Sequence, residues 1–192
     1  MRRADFREAA AALAVHQAEV SRAGAGALAA ADRAEAGKMT TGKIMRSTIP
    51  HLFFSNAEKL HIQKCIQNAE KHTSAEIRVH LVKKSSPDIL AHAKETFEKL
   101  GMTLTKHRNA VLIFLGIENR LFAVVGDEAI HEKVSAAFWD EVTAILAAHF
   151  KNDDFARGIE KAVDKIGEKL KAHFPSGKED GNELPDEITF SG

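Results

Sequence analysis

The sequence predicts an α/β domain: a small mixed β-sheet, built from a β-α-β crossover plus a hairpin and sandwiched between helices. Three observations predict it. Glu76 to Val82 alternates, with Ile77, Val79 and Leu81 on one face, as a strand does. Ala110–Leu115 and Leu121–Val125 are continuous apolar runs separated only by Gly116–Asn119, a connection that suits a hairpin and not a crossover. Between the first strand and the second lies a helical stripe of Leu90, Ala93, Phe97 and Leu100, which makes that pair parallel.

The remaining elements follow in order. Ser55 and Glu58 form an S-x-x-E capping box that opens a helix to about Lys71, with Ile62, Cys65, Ile66 and Ala69 inward. Cys65 is thereby a small buried hydrophobe before it is a nucleophile. Ser86-Pro87-Asp88 starts the second helix with Pro at its first position, and Gly101 stops it. A short helix is expected near Glu128–Val134, then a longer one to Phe150 with Phe138, Val142, Ile145 and Leu146 inward. Asn152-Asp153-Asp154 caps the last helix, whose stripe is Phe155, Ile159, Ala162, Val163, Ile166, Leu170 and Phe174.

Three regions result. Residues 1–50 form an Ala-rich extension and linker that buries little and is expected to be poorly packed or disordered. Residues 51–175 are the α/β domain, and residues 176–192 are an acidic flexible tail whose larger apolar residues are Leu184, Pro185, Ile188 and Phe190. The composition change near residue 38 places Met39 and Met45 as alternative starts beside Met1.

Composition excludes several function classes. Among 192 residues, 27 Lys+Arg balance 27 Asp+Glu, so no basic field points to nucleic acid. The single cysteine excludes an internal disulfide. The longest apolar stretch, Ala110–Ile117, is far short of the ~20 residues that cross a bilayer. Arg2 and Arg3 are followed by Asp5 and Glu8, which makes a poor signal peptide. A cytoplasmic monomer with no membrane span is expected.

Motif matches fail on context. Gly24-Ala-Gly26-Ala-Leu-Ala29 has the dinucleotide spacing without the strand that must precede it. Gly37 to Lys43 has the phosphate-cradle spacing, but Ile44 stands where a hydroxyl must bind magnesium. Glu58-x-x-His61 and Glu128-x-x-His131 have di-iron spacing without a four-helix core. No G-x-S-x-G elbow is present.

One constellation is assembled by topology. A hairpin turning near Glu118 sets Arg108 and Asn109 opposite Gly126, Asp127 and Glu128. The parallel first strand starts at the same sheet end, adding Thr73, Ser74 and Glu76, with His131 and Glu132 close by. Asp127, Glu128 and Glu76 could supply oxygens to calcium or magnesium. Arg108 could hold a phosphate, and His131 could move a proton. The alternative is an ion-pair network that closes the end of the sheet.

Several blocks in order carry a resemblance. Thr73-Ser-Ala-Glu-Ile-Arg-Val-His80, Arg108-Asn-Ala-Val-Leu-Ile-Phe-Leu115, Phe122-Ala-Val-Val-Gly-Asp-Glu-Ala-Ile-His-Glu-Lys-Val134 and Phe138-Trp-Asp140 resemble the TPM domain family over about residues 53–174. Asn182 to Ile188 resembles the tail of its short bacterial branch. The resemblance implies two kinds of role: acid phosphatase activity with calcium binding, proposed for a thylakoid-lumen member, and an accessory role beside a receptor. Many bacterial members carry a signal peptide, a membrane anchor and a Gly-rich tail, which this sequence does not show. Ala110 replaces the family's usual Gly after Arg-Asn, and Gly126-Asp127-Glu128 replaces its Gly-x-Gly. Both departures reduce backbone freedom beside the site. The expected function is a non-catalytic accessory or protein-interaction module for an unknown protein partner, with a divalent cation as a candidate ligand. The alternative is a metal-assisted acid phosphatase or hydrolase using the sheet-edge carboxylates.

Overall fold

The structure, a computed structural model, describes residues 46–177 and 181–192. The Ala-rich extension, its two glycine motifs and the alternative start methionines therefore lie outside the described residues. The elements are α1 (Pro50–Phe53), α2 (Asn56–Glu70), β1 (Ile77–Val82), α3 (Ile89–Lys99), a 3-10 turn (Met102–Leu104), β2 (Val111–Gly116), β3 (Leu121–Gly126), α4 (Glu128–His131), α5 (Ala136–Phe150), α6 (Phe155–His173) and β4 (Thr189–Ser191). The sheet order is β3-β2-β1-β4. β1 runs parallel to β2, with Ile77 opposite Val111, while β2 and β3 form the antiparallel hairpin, with Val111 opposite Gly126.

Alternation along the strands builds two cores. On one face Ile77, Val79, Leu81, Val111, Ile113, Leu115 and Val124 meet the inward stripes of α2, α5 and α6. On the other, Val82, Leu112, Phe114, Ala123 and Val125 meet α3 and Met102. β1 contributes Arg78 and His80 to this second side, and both are buried. The sheet is thus covered on both faces, as its apolar runs require.

The capping box forms as its spacing demands: Ser55 Oγ accepts from Glu58 N at 3.2 Å, and Glu58 Oε2 accepts from Ser55 N at 2.8 Å. The other caps differ from expectation. α3 starts after Asp88, whose carboxylate accepts from Ala91 N, so Pro87 precedes the cap and is not the first helical residue. Asp154 is the N-cap of α6, but its side chain turns to His149 Nδ1 at 3.1 Å and bonds no helix amide.

Two boundaries move. Arg46 and Pro50, assigned to the linker, belong to the folded body. The Arg46 guanidinium lies over the rings of Phe53, Phe54 and Phe155 and bonds Glu58 Oε1 at 2.8 Å. The tail does not hang free: Ile188 is buried in the first core, and Thr189–Ser191 pairs with β1 as the fourth strand. A three-residue strand with little alternation to display has almost no local signature.

α2 and α6 approach closely at Gly167. A Cβ there would lie 2.8 Å from Ala69 Cβ. Gly167→Ala is therefore expected to lower stability by about 1 kcal/mol, overpacking outweighing the gain in helix propensity. Adding Ala69→Gly should recover the loss of contact space. Urea midpoints of the single and double variants check this; equal midpoints for Gly167→Ala and the parent would contradict the contact.

Candidate functional site

The predicted sheet end is assembled, and its polar groups are largely spent on one another. Arg108 sits just before β2 in the left-handed region, with φ 51°, a conformation costly for a side chain with a Cβ. Its carbonyl accepts from Ala129 N, and Ala110 O accepts from Asp127 N. These bonds clamp the loop before β2 onto the turn after β3. Across the clamp Arg108 grips Asp127 with two prongs, Nε to Oδ2 at 2.9 Å and Nη2 to Oδ1 at 2.8 Å. Asp127 Oδ1 also accepts from Glu128 N at 2.8 Å, capping α4. The Asp127 side chain is 2% exposed and that of Arg108 is 43% exposed. The pair raises the already high pKa of Arg108, chiefly through the hydrogen bond to Asp127.

His131 ends α4. Its ring donates to the Gly126 carbonyl and lies 5.8 Å from the Trp139 ring. Burial, then the charge of Lys94, lowers its pKa, so the ring is neutral near pH 7. Glu128 and Glu132 are exposed. Asn109, fully buried, donates to Ser74 Oγ at 3.2 Å and so ties β2 to the approach of β1.

Glu76 belongs to a different group. It is buried beside the C-terminal segment, where Oε1 accepts from Glu183 N at 3.0 Å and Oε2 from Leu184 N at 3.2 Å. Burial raises its pKa against the opposing pull of those amides, and Glu183 and Asp186 add to the rise. Beside it Glu70 Oε1 accepts from Ile77 N at 2.7 Å, and its carboxyl shares a hydrogen bond with Asp186. Burial first, then Glu76 and Asp186, pushes the Glu70 pKa up to about 9.

Topology thus brings Arg108 and Asp127 to the same sheet end, but the register sets Ala110 level with Asp127 and Arg108 level with Ala129. The guanidinium therefore reaches Asp127 diagonally, with Glu128 and His131 next to the pair. Glu76 stands on the far side of β2, a neighbour of the tail and not a partner of Asp127. Among the described residues no group of three or more His, Cys, Asp or Glu side chains is placed to hold a metal ion. Calcium or magnesium at Asp127, Glu128 and Glu76 would require opening the Arg108 pair and releasing the tail amides. The sequence reading missed Glu70, His80 and Asp186 altogether. Glu70 reads as an ordinary polar position near a helix end, and its partner Asp186 lies more than a hundred residues away.

Asp127 is consequently a stability residue as well as a candidate ligand. Asp127→Asn keeps a capping oxygen but loses the charge that Arg108 holds, and is expected to cost about 1–2 kcal/mol. Chemical denaturation measures it. An unchanged midpoint would show that the pair contributes nothing.

A family model described as the TPM domain matches residues 49–169. No curated protein matches the sequence. Among solved structures, the NMR structure of BA42 from the psychrophilic bacterium Bizionia argentinensis is 38% identical, with a TM-score of 0.69. The match covers 72% of this chain and 96% of that one. No helix among the described residues is long and apolar enough to cross a membrane. With the family blocks lying on β1, β2, β3 and α4, and the match spanning the body from α1 into α6, the chain belongs to the TPM domain family.

Proposed function

We propose that this TPM domain is a non-catalytic accessory module that acts by holding a protein partner. The observation that carries this reading is the bidentate Arg108–Asp127 pair. The carboxylate best placed to hold a cation is buried, neutralised by a guanidinium and used as a helix cap. The neighbouring imidazole is engaged with a carbonyl and packed on Trp139. An enzyme needs a nucleophile or a general base with capacity to spare, and this cluster is committed to closing the sheet. A divalent cation enters the reading as a ligand that would compete with Arg108 for Asp127.

A metal-assisted acid phosphatase is the second reading, and the observation in its favour is the half-exposed Arg108 side chain beside His131. One experiment separates the two: hydrolysis of p-nitrophenyl phosphate at pH 5 and pH 7, with calcium, with magnesium and with chelator. The accessory reading expects no turnover above buffer in any condition. Saturable turnover that is lost in both Arg108→Ala and His131→Ala would overturn it and establish the phosphatase.

A further inference from the structure

We infer that the edge of β1 that faces away from β2 is a peptide-accepting groove, that the chain's own segment 183–191, which covers it, is its resident ligand, and that a partner binds by putting an extended segment of like chemistry in its place. This deepens the accessory-module reading by naming the surface and the partner class.

The contacts of the segment are those of strand addition. It lies alongside β1 in the parallel sense, from Glu183 and Leu184 beside Glu76 to Thr189 opposite His80 and Ser191 opposite Val82. Without it the sheet would end at β1, leaving a row of unpaired backbone groups on a strand that is buried along its whole length. Some contacts read only backbone: both oxygens of Glu76 take successive amides. Others read side chains. His80 Nδ1 lies 2.8 Å from Thr189 Oγ1 and Nε2 lies 3.1 Å from Ser191 Oγ, so one imidazole inspects hydroxyls two residues apart on one strand face. Ile188 enters the first core and Leu184 rests against the second, while the Lys59 ammonium stands 5.4 Å from the Phe190 ring.

One position fits badly. Asp186 arrives against Glu70 and near Glu76, so the resident segment brings a carboxylate to a place that already holds two. Burial first, with the Glu76 and Asp186 carboxylates adding to it, holds Glu70 in its neutral form. A segment with an amide there would keep every other contact and lose the repulsion. The resident ligand is favoured by its tether, which for short linkers amounts to a local concentration in the millimolar range, and disfavoured by its chemistry. That balance makes it displaceable by a better sequence. The partner segment therefore reads apolar at the Leu184 position, non-acidic at Asp186, apolar at Ile188 and hydroxyl-bearing at Thr189 and Ser191.

The test uses the full chain, isotope-labelled, and a synthetic peptide of residues 182–191 carrying Asp186→Asn. Saturable shifts of the Ile77–Val82 amides are expected, with the chain's own Thr189–Ser191 signals moving to random-coil positions. The unsubstituted peptide should bind at least fivefold more weakly, and a peptide with Thr189→Ala and Ser191→Ala weaker still. In the full chain Ile188→Ala should raise affinity for the Asp186→Asn peptide about tenfold by loosening the competitor; Thr189→Ala provides the same reading if the first variant does not fold. Three results would overturn the proposal: no shift at millimolar peptide in parent or variant, Thr189–Ser191 amides exchanging as slowly as Ile113, or a dimer in which two copies trade tails. None of these bears on phosphate-ester turnover, so failure here leaves the non-catalytic reading to its own test.

Discussion

Replacing Phe114 with alanine is expected to cost about 3–5 kcal/mol, the range for an aromatic removed from a close-packed core. Phe114 is wholly buried at the middle of β2 on the α3 side of the sheet. Its ring stacks on His80 with centroids 5.8 Å apart and meets His92 edge-on at 5.0 Å. The second core is the smaller of the two, so a lost ring has few neighbours able to collapse into the space. The substitution also carries a spectroscopic signature. Burial holds the His80 pKa down to about 4, with Arg78 and His92 adding to the effect, and opening the space beside the ring should let it climb toward its ordinary value. Urea denaturation measures the first effect and the titration of His80 ring resonances the second. A loss below about 1 kcal/mol with an unmoved His80 would contradict this packing.

Glu70→Gln is expected to stabilise the protein by about 2–3 kcal/mol at pH 8 and to have little effect at pH 4. In the folded chain Glu70 keeps its proton up to about pH 9, facing Glu76 before β1 and Asp186 from the tail, while the unfolded chain loses it near 4.5. Between those values the folded state binds the extra proton, so stability falls as pH rises. Each unit of difference is worth about 1.4 kcal/mol, and partial solvent access scales the sum down. Gln replaces the protonated acid nearly atom for atom: its oxygen can accept from Ile77 N and its amide can donate to Asp186. His80 acts with the opposite sign. Its folded pKa of about 4 lies below the ordinary 6.5, so the unfolded chain binds the extra proton in that window and stability falls as pH falls. The slopes oppose each other between pH 4.5 and 6.5, and above 6.5 that of Glu70 acts without its counterweight. Denaturation midpoints should therefore decline from pH 6.5 to 9 in the parent and stay level in Glu70→Gln. A parent curve flat over that range would remove the buried proton from the account.

The sheet-end cluster was legible in part because hairpin geometry is local. The short Gly116–Asn119 connection fixes which segments share a sheet end, and so Arg108 lies within reach of Asp127, although the residue level with Asp127 is Ala110. What those groups do there was not legible. Whether an Arg beside an Asp offers a site or closes one depends on whether the guanidinium turns inward. Here the clamp of backbone bonds from Ala129 and Asp127 holds the loop where it must.

By itself the sequence determined the α/β class, the crossover, the hairpin and the helix stripes. These follow from periodicity, turn length and capping chemistry, whose information lies within a few residues of where it acts. Only the tertiary structure decided that the acidic C-terminal segment is a strand of the sheet, that Arg46 belongs to an aromatic nest, and that Glu70 meets the tail at Asp186. Each joins residues far apart in the chain through burial, and burial shifts a carboxyl or seats a three-residue strand by an energy that no local pattern carries. The tail looked free because its few apolar residues are spaced like none of the regular elements. It is held because β1 has backbone groups to satisfy along an edge that nothing else among the described residues pairs.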